Sequence, residues 1–251
     1  MMNKIQNIKA RLHGLTAAII LGLGAGSSIQ ALDFNEGEHV VFIGNALAER
    51  MQHHGWLESY IQGTMAEKEL VFRNHGFGGD KVNNRPRNNG FPSADAYLEI
   101  SKADVILAFW GYNESFDNSP DAYMADLAKW VDETKEKKYN GKSAPRIVLL
   151  SPISHENLGK ANLPDGAANN ERLSKYTEVT RKVANEKGVD FVDLFSLSSR
   201  LYEKSRKPLT VNGIHLTSEG NKQLAQGIYK NLFGKNPRVS RRKLTRIQDA
   251  V

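Results

Sequence analysis

The chain has 251 residues, 34 Lys and Arg against 28 Asp and Glu, a formal charge of +6 and no cysteine. Zero cysteine excludes disulfides, thiolate metal sites and a cysteine nucleophile, and the length supports one three-layer domain rather than two. The charge makes no case for nucleic acid, because it sits at the two ends: residues 32–234 hold 25 basic and 27 acidic side chains.

In chain order, residues 1–31 read first as an export signal. Lys4, Lys9 and Arg11 precede the apolar run from Leu15 to Gly26, and a small residue, Ala31, closes the segment. The run is 12 residues long, short of the roughly 20 that a membrane span needs. The expectation is a secreted or periplasmic protein with no stable membrane insertion.

Residues 32–234 alternate apolar runs with helical periodicities. Strands are expected over His39 to Ile43, Glu69 to Arg73, Asp104 to Trp110, Arg146 to Ser151 and Val189 to Phe195. Helices are expected from about Ala46 to Gln62 behind an Asn45 cap, and from about Ser119 to Lys137 with proline in the first turn. Two more are expected from about Ala168 to Lys187, stopped by Gly188, and from about Ser218 to Leu232. Short, nearly continuous apolar strands separated by helices predict a parallel sheet buried on both faces, hence a three-layer α/β/α sandwich with five parallel strands. Residues 235–251 carry six Lys or Arg against one Asp and read as a solvated basic tail, with an anionic partner as the sharper alternative.

In open α/β sheets the functional groups gather where strands lead into helices at their carboxyl ends. Four such segments stand out: GNALAERM, NHGFGGDKV, GYNESF and the late loop VNGIHLTSEG. The glycines at 76, 78 and 79 alone mark only a turn. They lack the third glycine and the strand-one position of a dinucleotide fingerprint. His53 and His54 on the first helix and His155 in a long loop read as surface or local structural residues.

In order and spacing, the four segments resemble the conserved blocks of the SGNH, or GDSL-type, hydrolases across essentially all of residues 32–234. The resemblance implies the flavodoxin-like SGNH fold, ester hydrolysis and no metal or cofactor. It places the oxyanion donors at the Gly79 backbone amide and the Asn113 side chain, and the base at His215. Where the family has its serine nucleophile this chain reads Gly44-Asn45-Ala46, and where it has the aspartate partner of the histidine it reads Asn212. Asn45, Asp80, Trp110, Tyr112 and Glu114 are candidate substrate contacts. Trp110 and Tyr112 suit either core and rim positions or stacking on a sugar ring. The resemblance further implies an ester or acylated carbohydrate, a small molecule or a glycan, as ligand.

An alanine methyl cannot attack a carbonyl, so the acyl-enzyme route lacks its first group. Two substitutes are conceivable: water activated by His215 with Asp80, Glu114 or Glu49 assisting, or a hydroxyl from Ser115 or Ser151. The competing expectation is a non-catalytic carbohydrate-binding or scaffold domain.

Overall fold

The computed structural model describes residues 31–85, 90–248 and 250; the export segment thus lies, save Ala31, outside the described residues. Five strands, β1 (His39–Gly44), β2 (Val71–Asn74), β3 (Val105–Phe109), β4 (Arg146–Leu150) and β5 (Asp190–Val192), form one parallel sheet in the order β2-β1-β3-β4-β5. Every neighbouring pair is parallel, as the uninterrupted apolar runs require. The strand period of two divides the core. Val40, Phe42, Val105, Leu107, Phe109, Val148 and Leu150 enter one apolar layer, and Val41, Ile43, Ile106, Ala108, Ile147 and Leu149 enter the other.

The first layer is covered by α1 (Ala46–Met51), α2 (Trp56–Thr64), α6 (Leu194–Lys204) and α7 (Ser218–Phe233). The second is covered by α3 (Ala94–Ile100), α4 (Pro120–Lys135) and α5 (Ala167–Lys187). The three-layer α/β/α sandwich is therefore as expected from the sequence.

Three elements depart from the expected bounds, and helices α3 and α6 were not expected. The single helix expected over residues 46–62 breaks into α1 and α2 at Gly55, whose left-handed φ of 54° redirects the chain. The second strand begins at Val71 because Glu69 caps a short 3-10 turn, Ala66–Lys68, at φ 49°. The fifth strand stops at Val192, and Asp193 accepts from the Ser196 amide at 2.8 Å to start α6 inside the apolar run VDLF. Helix α3, opened by Ser93 accepting from the Ala96 amide at 3.1 Å, had no apolar signal strong enough to predict it.

The basic tail, expected as a solvated end, forms the helix α8 (Arg241–Gln248). Leu244 packs on the core, Val239 and Ile247 close over Gly63 of α2, and Gln248 Nε2 donates to the His54 carbonyl at 3.1 Å. Arg241, Arg242, Lys243 and Arg246 remain exposed. Among the described residues no helix is long and apolar enough to cross a membrane.

Candidate functional site

The carboxyl ends of β1, β3 and β4 open into a narrow cleft lined among others by Asn45, Ala46, Arg50, Trp110, Tyr112 and His215. Its floor depends on one glycine. Gly44 has φ 123°, and a Cβ there would lie 2.2 Å from the Phe109 carbonyl oxygen; only glycine lets the ends of β1 and β3 meet so closely. The next residue, Asn45, is buried, and its Oδ1 accepts from the Leu47 amide at 3.0 Å to cap α1. Asn45 is thus a cap before it is a ligand contact. Ala46 opens α1 and shares the cleft with His215.

His215 arrives on a loop closed by the antiparallel bridge of Thr210 with Leu216 and by a Val211 amide donating to the His215 carbonyl at 2.8 Å. Asn212 Oδ1 accepts from the His215 amide at 3.0 Å, while its Nδ2 and Oδ1 lie 3.0 and 3.2 Å from His215 Nδ1. Whichever amide atom faces the ring, Asn212 is neutral and gives an imidazolium no charge partner. Burial, and then the Arg50 guanidinium, lower the His215 pKa from 6.5. The imidazole is therefore neutral at pH 7 and resists taking a proton. In an NMR titration its midpoint should fall below 6.5, and Arg50→Gln should move that midpoint upward. A midpoint that ignores the substitution would contradict this coupling.

The glycine-rich turn packs on α1. A Cβ on Gly76 would lie 2.4 Å from the Glu49 amide nitrogen, and the Glu49 carboxylate accepts from the Gly78 amide at 2.6 Å. Gly79, at φ 89°, has open space where a side chain would be. Asn113 Nδ2 donates to the Asp80 carbonyl at 2.7 Å, leaving its second N–H for another acceptor. Gly79 and Asn113 are joined through Asp80, yet neither lines the Ala46–His215 cleft. Asp80 lines a second cavity, shared with His75, Arg85 and Trp110.

Several candidates are committed to the fold. Glu114 is buried and accepts from the Val82 and Gly111 amides, both at 2.8 Å, and burial raises its pKa. It organises the exit from β3 and has no free oxygen toward a substrate. Trp110 is 1% exposed and meets Trp130 edge-on, so it is a core ring bordering both cavities and not a stacking platform. Tyr112 is half-buried, crosses Phe116 edge-on and keeps a face at the cleft.

Neither serine is placed to replace a nucleophile. Ser115 is buried and donates to the Tyr112 carbonyl at 2.7 Å. Ser151 borders the cleft but is buried, accepts from the Leu194 amide at 2.8 Å and the Phe195 amide at 3.2 Å, and so helps start α6.

Two residues of the site region, Arg50 and Glu156, escaped the sequence reading, and a third, His155, was expected to be a surface or local structural residue. Arg50 stands one helical turn beyond Ala46, on the same face of α1. His155 is buried, with its ring so close to Gly213 that a Cβ there would lie 2.2 Å from Nε2. The Glu156 carboxylate accepts from the amides of Leu209 and Thr210 and from the Thr210 hydroxyl, holding the His215 loop. The polar pair His155-Glu156, just past a buried strand, was the available signal. Among the described residues no group of three or more histidine and carboxylate side chains could hold a metal ion.

The fold is shared with several solved structures. A gut microbial diltiazem-metabolizing enzyme superposes with a TM-score of 0.66 at 18% identity over 82% of this chain, which spans 49% of that longer protein. Axe2, an acetylxylan esterase from Geobacillus stearothermophilus, gives 0.61 at 19% identity over 84% of this chain and 100% of its own. A putative GDSL-like lipase from Parabacteroides merdae gives 0.62 at 18% over 82% and 100%. At such identities the likeness is one of fold. No curated protein matches the chain. The family model does: with residues 42–223 matched, most of its length, the chain belongs to the GDSL-like lipase/acylhydrolase family.

Proposed function

We propose that the protein is an exported recognition domain of esterase descent, holding an ester or acylated carbohydrate in the Ala46–His215 cleft without forming an acyl-enzyme. Catalytic mutants of Axe2 replace a serine, an aspartate and a histidine, and we read Ala46, Asn212 and His215 as the corresponding positions here. The observation that carries the reading is that the residue opening α1 in the His215 cleft is alanine, while Ser115, and Ser151 in the same lining, are buried in internal hydrogen bonds.

Loss of the nucleophile from a serine triad removes about six powers of ten in turnover, and aspartate to asparagine alone about four. Water attack assisted by His215 is the rival route. It is opposed by burial and by Arg50, which disfavour the imidazolium that such a base must become, and the neutral Asn212 supplies no charge to offset them. The export reading of residues 1–31 puts the ligand outside the cytoplasm, and the acetylxylan esterase fold likeness makes an acetylated glycan the first ligand to test.

The test measures turnover of p-nitrophenyl acetate and acetylxylan, together with calorimetric binding of acetylated xylo-oligosaccharides. The expected result is binding, with turnover identical in the wild type and His215→Ala. Turnover that depends on His215 would make the protein an enzyme, and absence of both binding and turnover would leave a scaffold.

A further inference from the structure

Arg50 is half-buried in the cleft wall, and its Nε is shut off from solvent with no hydrogen-bond partner among the described residues. Among the described residues no carboxylate forms an ion pair with it. The neighbouring Glu49 is turned onto the Gly78 amide, and the side chains that Arg50 perturbs are the imidazoles of His54 and His215. A guanidinium N–H that is shut off from solvent without an acceptor is unfavourable, and the charge beside it favours an anion as its partner.

Much of the remaining lining is apolar: Phe109, Pro152, Ile153, Ile214 and Leu216 form walls around it. Two of its lining residues, Trp110 and Asn221, also hold buried polar atoms, Nε1 and Oδ1, without a partner among the described residues.

We propose that this cleft takes a carboxylate attached to an apolar group, the carboxylate pairing with the Arg50 guanidinium and the apolar part seated against Ile153, Ile214 and Leu216. The proposal rests on the recognition reading above and narrows its ligand class from neutral esters to anions. A planar monoanion suits a single guanidinium, which binds carboxylate through two parallel N–H donors. A phosphate dianion suits it poorly, since the cleft lining contains no lysine and only one arginine. The same chemistry has two sources, a free acyl acid or a uronic acid borne by a glycan.

Calorimetry on the full-length protein would use hexanoate, methyl hexanoate, inorganic phosphate and a xylo-oligosaccharide substituted with glucuronic acid, with Arg50→Gln and Arg50→Lys as variants. One of the two carboxylate probes should bind, and its affinity should fall about 10-fold or more in Arg50→Gln, as for loss of a bidentate charged contact. Arg50→Lys, which keeps the charge without the fork, should retain part of the affinity, so a misfolded glutamine variant leaves the question decidable. Hexanoate as the probe that binds assigns the acyl source, and the oligosaccharide assigns the glycan source.

Preference for methyl hexanoate over hexanoate, or carboxylate binding unaffected in Arg50→Gln, overturns the proposal while leaving ester recognition standing. Phosphate binding tighter than both carboxylates overturns it as well. Acetylated xylo-oligosaccharide binding, measured in the same series, reports separately on the recognition reading.

Discussion

The double variant Ala46→Ser with Asn212→Asp should hydrolyse p-nitrophenyl acetate about 10²-fold or more faster than the wild type. A serine at position 46 would begin α1 and place its hydroxyl in the cleft that His215 already lines. An aspartate at 212 would fix the Nδ1–H tautomer, since that side chain already lies 3.2 Å or less from His215 Nδ1. It would also supply the charge that an imidazolium needs against the opposing influence of Arg50. Triad residues act as a unit, so either single substitution should give little and the pair much more than their product.

Two controls sharpen the result. His215→Ala in the double background should return turnover to the wild-type level. Asn113→Ala should lower it by about 10² if that side chain's second N–H meets the developing oxyanion. A double variant that folds normally and gains nothing would mean that Ala46 and His215 do not stand in nucleophile and base register, and the esterase descent of this cleft would have to be read from other residues.

What the sequence disclosed and what it hid have separate physical causes. The sheet was legible because each strand is buried on both faces and therefore nearly all apolar, as in Val105–Phe109. The α1–α2 break was not, since Met51, Leu57, Tyr60 and Ile61 all reach the same core layer and keep a roughly helical spacing across the turn; Gly55 was the one mark of it. Helix α6 was hidden because its first residues extend the apolar run of β5, and the cap at Asp193 sits inside that run.

At the site, Ala46, Asn212 and His215 were legible from the order of the four segments. Glu114 and Trp110 were picked out by their position after β3, but their burial, which reassigns them to the fold, is a tertiary fact. Arg50 was invisible for the opposite reason: an arginine on a helix ordinarily faces water, and only the fold, which brings α1 and the His215 loop to one cleft, puts it there.

Glu156→Ala should lower the free energy of unfolding by about 3 kcal/mol, because it strips partners from buried donors without offering replacements. Glu156 is 7% exposed. One of its oxygens takes the Thr210 amide at 2.7 Å and the Thr210 hydroxyl at 2.6 Å, and both approach the Leu209 amide at 3.0 and 3.1 Å. Its own amide donates to the Gly213 carbonyl at 2.8 Å, and the Gly213 amide donates to the Thr210 hydroxyl at 2.9 Å. One carboxylate thus ties the exit of β4 to the loop that carries Asn212 and His215.

Glu156→Gln keeps one carbonyl oxygen but turns an NH₂ toward groups that are themselves donors, so about 2 kcal/mol should be lost. Urea unfolding measures both, and amide exchange at Leu209 and Thr210 should accelerate in the same order. A loss under about 0.5 kcal/mol for the alanine variant, the range of ordinary surface substitutions, would show that the loop is held by its own bridge and by the packing of His155 under Gly213. The consequence for function follows from the geometry: in the Ala46→Ser, Asn212→Asp background, Glu156→Gln should depress kcat more than it raises KM. It would loosen the base that must meet the serine while leaving the apolar walls of the cleft in place.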